Sequence, residues 1–118
     1  MIRTLRTLLL FEAATFAVAA SIHFGALLDG YEHTKAGRAE SVIAVVLLAG
    51  FALTWAGPRR ARLATIGTQG FAILGVCVGL FTIAVGVGPR TVLDVVYHVA
   101  IVAVLAIGLA IALREPAT

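Results

Sequence analysis

Charged residues and cysteine are both scarce in this sequence. Of its 118 residues, 13% are charged and one, Cys77, is a cysteine. Soluble domains carry about 25% charged residues, so the composition excludes an ordinary soluble domain. It also excludes a disordered chain, which needs high charge and low hydrophobicity. The single cysteine excludes an internal disulfide framework, a Cys-x-x-Cys redox pair and a zinc ribbon.

Long apolar segments make up most of the chain, of which 61% is hydrophobic. A membrane-crossing helix needs about 20 mostly apolar residues. Four segments qualify, approximately residues 5–28, 40–55, 63–87 and 91–113, and each connection between them contains glycine. Such short connections favour antiparallel neighbouring helices. The sequence therefore predicts an all-α integral membrane protein with one domain, residues 1–118. It is a four-transmembrane-helix, up-down-up-down bundle whose partner is the lipid bilayer.

The distribution of lysine and arginine predicts how these spans are oriented. With a cytoplasmic N-terminus, six basic residues face inward, namely Arg3, Arg6, Arg59, Arg60, Arg62 and Arg114. Three face outward, namely Lys35, Arg38 and Arg90. Because basic loops are retained in the cytoplasm, we expect both termini on the cytoplasmic side of the plasma (inner) membrane. The basic residues form no continuous phosphate-binding face, so no nucleic-acid partner is expected.

Four polar residues are predicted to lie in the outer half of the membrane. His23 and His98 fall about 8–10 Å below the outer surface at 1.5 Å per helical residue. Asp94 lies one turn above His98 on the same helix face, and Glu40 begins the second span at the same surface. Imidazole binds metal ions and haem iron. The sequence thus predicts a site for haem b, with His23, His98 and Asp94, or for a transition-metal ion, with His23, His98 and Glu40. Its role would be electron transfer or redox chemistry.

Two further polar residues, Glu12 and Gln69, are predicted at matched depth in the inner half. Each is about 10 Å deep by helical rise, which would allow a hydrogen bond between them. Ionisable groups inside a membrane are costly and often mark proton or substrate pathways. Glu12 therefore supports an alternative function, a dimeric proton-coupled transporter of a small molecule or ion. Four short spans with an acid in the first are similar to the architecture of small multidrug-resistance transporters, but the residues around Glu12 lack that family's aromatic context.

Two more interpretations remain open from the sequence. In the first, the chain is a structural or accessory membrane subunit and its polar residues serve assembly. In the second, it is a membrane enzyme in which His23 or His98 acts as a general base oriented by Asp94. Gly75 and Gly79 form a small-xxx-small pattern, which favours close helix approach and a homo-oligomer, a dimer or larger.

Overall fold

The computed structural model describes residues 1–114, and these form four α-helices. Helix α1 spans Ile2–His23, α2 spans Thr34–Leu53, α3 spans Pro58–Ala84 and α4 spans Val92–Arg114. Each of the four is long and apolar enough to cross a membrane. The number and the helical nature of the apolar segments therefore agree with the sequence prediction.

The first helix ends at His23 rather than near residue 28. Gly25 and Leu27 have φ angles of 90° and 68°, in the left-handed region, so the chain leaves the right-handed helix there. The backbone N–H of His33 then donates to the carbonyl of His23 at 2.8 Å, which brings the loop back to the end of α1. His23 therefore lies at a helix end and not one to two turns inside a longer span.

The starts of α2 and α3 also have local causes. His33 caps α2, because its Nδ1 accepts from the Ala36 N–H at 3.2 Å, and the helix begins at Thr34 instead of residue 40. Gly57 has a φ of 108° and is followed by Pro58, a favoured first helical residue, so α3 begins before residue 63.

Helix α4 begins after a capping box formed by Thr91 and Asp94. The Thr91 N–H and hydroxyl donate to Asp94 Oδ2 at 3.1 and 2.5 Å. In return, the Asp94 N–H donates to the Thr91 hydroxyl at 3.1 Å. This reciprocal pattern satisfies donors that a helix start leaves without partners. It also fixes the Asp94 side chain at the first turn of α4.

Consecutive helices pack side by side, and α1 meets α4 over a smaller surface. The start of α1 lies against the end of α2, because Arg6 donates to the hydroxyl and the carbonyl of Thr54 at 3.0 and 3.2 Å. Similarly, Arg62 at the start of α3 donates to the carbonyl of Ala112 near the end of α4. These helix pairs therefore run in opposite directions. The apolar core includes Leu9, Phe16, Leu47, Val76 and Leu105.

Candidate functional site

Three helices bring a histidine and two carboxyl groups together where α1 ends. His23 Nδ1 forms a hydrogen bond with Glu40 Oε1 from α2. Its Nε2 forms another with Asp94 Oδ1 from α4, at 2.8 Å. All three residues are at most 6% exposed. We call this group, His23 with Glu40 and Asp94, the His23 cluster.

The hydrogen bonds of the His23 cluster determine its net charge. Each of the two bonds needs one proton, whereas ionised carboxylates have none and a neutral imidazole has one. The second proton makes either an imidazolium or a carboxylic acid. In both cases the three groups together carry one negative charge. A buried net charge is unfavourable unless a counter-charge or further hydrogen bonds compensate it.

The two carboxyl groups differ in how their second oxygens are satisfied. Asp94 Oδ2 accepts the two hydrogen bonds from Thr91 described above. Glu40 Oε2, in contrast, is buried and has no hydrogen-bond partner among residues 1–114. This oxygen is the place where the cluster could accept a further proton or a cation.

His98 is also buried, and it contacts the cluster through the backbone of Asp94. Its Nδ1 bonds to the Asp94 carbonyl oxygen at 2.6 Å. Since a carbonyl only accepts, Nδ1 carries the proton and Nε2 of the neutral ring is an acceptor. Within the described residues, Nε2 forms no hydrogen bond. A Cβ placed at Gly79 of α3 would lie 3.0 Å from this nitrogen, so the glycine leaves space beside it.

This geometry gives no support to the haem or metal-ion interpretation. Both nitrogens of His23 bond to carboxyl groups, which leaves neither of them for a metal. The imidazole beside His23 is that of His33, with ring centroids 6.4 Å apart, and His98 packs instead beside Tyr97 at 5.9 Å. In the part of the chain that the structure describes, no group of three or more His, Cys, Asp or Glu residues could hold a metal ion.

Glu12 and Gln69 form a second buried polar pair, between α1 and α3. Both residues are 0% exposed, and Gln69 Nε2 donates to Glu12 Oε2 at 2.6 Å. This is the hydrogen bond that their matched depths predict. The Oε1 atoms of both residues have no partner within positions 1–114. Gly108 of α4 packs against the amide, since a Cβ there would lie 3.0 Å from Nε2.

Two hydroxyl groups lie along the bundle between Glu12 and the His23 cluster. The Tyr97 hydroxyl donates to Thr15 Oγ1 at 3.3 Å, and the Thr15 hydroxyl donates to the backbone carbonyl of Glu12 at 2.8 Å. Neither of these residues, nor Thr91, is among the polar residues that the sequence predicts for a site. The Thr91-x-x-Asp94 spacing is a recognisable capping-box signal. Thr15 and Tyr97 have no comparable signal, because their pairing joins distant parts of the chain.

Two cavities lie beside the His23 cluster and His98, and neither of them is lined by Glu12 or Gln69. The α1/α4 cavity, of about 390 Å³, has mostly apolar walls and extends along α1 from Phe11 to His23, with Tyr97 on the opposite side. The α2/α3/α4 cavity, of about 340 Å³, is lined by residues that include Glu40 and His98.

Comparisons of the chain with models of known protein families, with curated proteins and with solved structures find no match.

Proposed function

We propose that this chain is an integral membrane protein that couples the movement of a small molecule or ion to proton binding at Glu12. The four helices would cross the bilayer alternately up and down. Large apolar side chains on the outside of the bundle support this placement, among them Leu74, Phe81 and Val92, which are 69%, 66% and 81% exposed. Such a surface is unfavourable in water and suits a hydrocarbon environment.

The position of Glu12 is the observation that supports proton coupling most directly. The residue lies in the middle of α1 and is fully buried. Its one side-chain hydrogen bond within residues 1–114 comes from the neutral amide of Gln69. A charged carboxylate at the centre of a membrane helix costs at least about 2.5–3.5 kcal/mol, so proton binding there changes the stability of the surrounding bundle.

Gln69 is suited to both protonation states of this carboxyl group. Its Nε2 donates to Glu12 Oε2, which an ionised carboxylate accepts. Its Oε1, which has no other partner in the described chain, can accept from a protonated carboxyl group. The pair can therefore gain or lose a proton without losing all its hydrogen bonds.

The α1/α4 cavity extends from the His23 cluster to Phe11 and Thr15, the neighbours of Glu12 on α1, although Glu12 itself does not line it. Glu12 and His23 are separated by a helical rise of about 16 Å on the same face of α1. The cavity borders this stretch and includes Thr15 and Tyr97 in its lining. Because hydroxyl groups both donate and accept, we propose that Tyr97 and Thr15 transfer protons between this cavity and the region of Glu12.

The proposal is tested by proton flux into liposomes that contain the purified protein and a pH-sensitive dye. With a membrane potential imposed, we expect wild-type protein to admit protons and Glu12→Gln to lower the rate to that of protein-free liposomes. Glu32→Gln, in the exposed loop, is the matched control and should keep the wild-type rate. A folded Glu12→Gln protein with unchanged flux contradicts the proposal, and so does wild-type flux at the protein-free rate.

The orientation belongs to the same proposal. We place both termini on the cytoplasmic side of the plasma (inner) membrane, because six of the nine basic residues then face inward. The His23 cluster lies at the opposite, external end of the bundle.

A further inference from the structure

We infer that the α2/α3/α4 cavity is a binding site for a small molecule that carries an ammonium group, held between Glu40 and His98. Its volume of about 340 Å³ lies within the range of small-molecule sites. Much of its lining is apolar, including Phe16, Ile43 and Val76. Such sites combine apolar walls with a few polar groups that orient the ligand.

The charge of the His23 cluster favours a cation. The cluster carries one net negative charge, as counted above, and Glu40 Oε2 is its oxygen without a partner in the described residues. Glu40 is 5% exposed and lines the cavity. A cation bound at this oxygen would neutralise the cluster and satisfy the buried acceptor at the same time.

The second acceptor selects a cation with N–H donors. In the neutral imidazole of His98, Nε2 presents a lone pair, because the single ring proton is on Nδ1 and is donated to the Asp94 carbonyl. Alkali, magnesium and calcium ions prefer oxygen ligands, and imidazole together with one carboxylate is too small a set for a transition metal. A primary ammonium has three N–H donors, so it can bond to both Glu40 and His98. The Phe16 ring, which lines the same cavity, can add a cation–π contact.

Two basic residues, His33 and Lys35, line the cavity. His33 is already bonded, through Nδ1 to the Ala36 N–H and through Nε2 to the Val87 carbonyl. Lys35 is exposed, so water and salt screen its repulsion of an arriving cation. We take the exposed part of the lining, near Lys35, as the entrance, whereas Glu40 lies in the buried part.

The claim that the protein transports the ammonium compound rests on the function proposed above. The claim that the cavity binds this compound does not. Binding is measured at equilibrium with no proton gradient. A failure of proton flux in liposomes therefore leaves the binding site standing, and a failure of binding leaves Glu12 as a proton site.

The test is isothermal titration calorimetry of the full chain in lipid nanodiscs, with phenethylammonium as the probe. We expect binding of phenethylammonium and at least about tenfold weaker binding of 2-phenylethanol, which has the same carbon skeleton without the charge. Glu40→Gln should weaken phenethylammonium binding by at least about tenfold, because a neutral amide replaces the carboxylate that accepts from the ammonium group. Asp29→Asn removes an acid from the exposed loop and should leave binding unchanged.

A second pair of variants tests the position of the site without altering any charge. Gly79→Ala would place a methyl group beside His98 Nε2, so it should weaken phenethylammonium binding. Gly67→Ala, on the same helix, meets nothing within 4 Å and should not. Equal affinity for the amine and the alcohol, or wild-type affinity in folded Glu40→Gln protein, overturns the inference. If Glu40→Gln does not fold, equal binding by the Gly79→Ala and Gly67→Ala proteins overturns it.

Discussion

At the residue scale, His23 joins three helices through one imidazole ring. It belongs to α1, and its nitrogens bond to Glu40 of α2 and Asp94 of α4. Removing the ring leaves two buried carboxyl groups without their shared partner. Loss of one member of a buried charged network is far more destabilising than the net stabilisation by the intact network.

We therefore predict that His23→Ala lowers the free energy of unfolding by about 3–5 kcal/mol. His33→Ala is the comparison, since it removes an imidazole that caps α2, and it should cost about 1 kcal/mol. Reversible unfolding in mixed micelles, followed by circular dichroism, measures both. Equal losses in the two variants would show that the His23 cluster has no special role in stability.

The sequence predicts part of this cluster and not its hydrogen bonds. Helical rise places His23 and His98 at similar depths, with Asp94 one turn nearer the surface and Glu40 at the same end of the bundle. Rise along an axis does not specify which way a side chain turns around that axis. The i, i+4 spacing suggests that Asp94 and His98 act together, yet the Asp94 carboxyl bonds to His23 and its backbone carbonyl bonds to His98. Tertiary packing decides this choice.

At the element scale, Arg6 connects the start of α1 to the end of α2. Its guanidinium donates to Thr54 twice and lies 3.9 Å from the centroid of the Trp55 ring. A planar guanidinium suits such combined hydrogen bonding and stacking. The contact lies at the end of the bundle opposite the His23 cluster, so the α1–α2 pair is held at both ends.

We predict that Arg6→Met lowers the free energy of unfolding by about 1–3 kcal/mol, through the lost hydrogen bonds and cation–π contact. Arg3→Met removes the same charge from an exposed position on the same helix and should change stability by less than about 0.5 kcal/mol. Denaturation of the two purified variants in the same detergent provides the comparison. If both lose the same stability, charge alone accounts for the effect and the contact does not.

The glycines of α3 illustrate how an element can be predicted while its role is not. The Gly75–Gly79 spacing favours close helix approach, and the approach occurs within the chain. A Cβ at Gly75 would lie 2.8 Å from Ile43 Cδ1, and one at Gly79 would lie 3.0 Å from His98 Nε2. This pattern is therefore used in internal packing, and the homo-oligomer stays a prediction that needs other support. A spacing motif does not tell which neighbour it faces.

At the scale of the whole molecule, the apolar segments are what make the fold predictable. Their length and hydropathy suffice to predict four helices that are long and apolar enough to cross a membrane, and the structure has four such helices. Their exact ends depend on the left-handed residues Gly25 and Leu27, and on the caps at His33 and Thr91. A left-handed Leu27 has no sequence signal, since this conformation is unusual for leucine. The predicted first span was consequently too long.

Placing the two ends of the bundle on opposite sides of a membrane gives the last prediction. In a Cys77→Ser background, Asp29→Cys lies in the loop after α1 and Ala56→Cys in the turn after α2; both positions are exposed. Ala56 adjoins Trp55, on which Arg6 stacks, so its accessibility also reports the side of the N-terminal end of α1. The excess of basic residues predicts that this side is cytoplasmic. An impermeant maleimide should therefore label Asp29→Cys in intact cells and Ala56→Cys only after permeabilisation.

The reverse pattern would put the His23 cluster and the entrance of the ammonium site on the cytoplasmic side. Labelling of both positions in intact cells would mean that the chain inserts in two orientations, which an arginine excess of this size is expected to prevent.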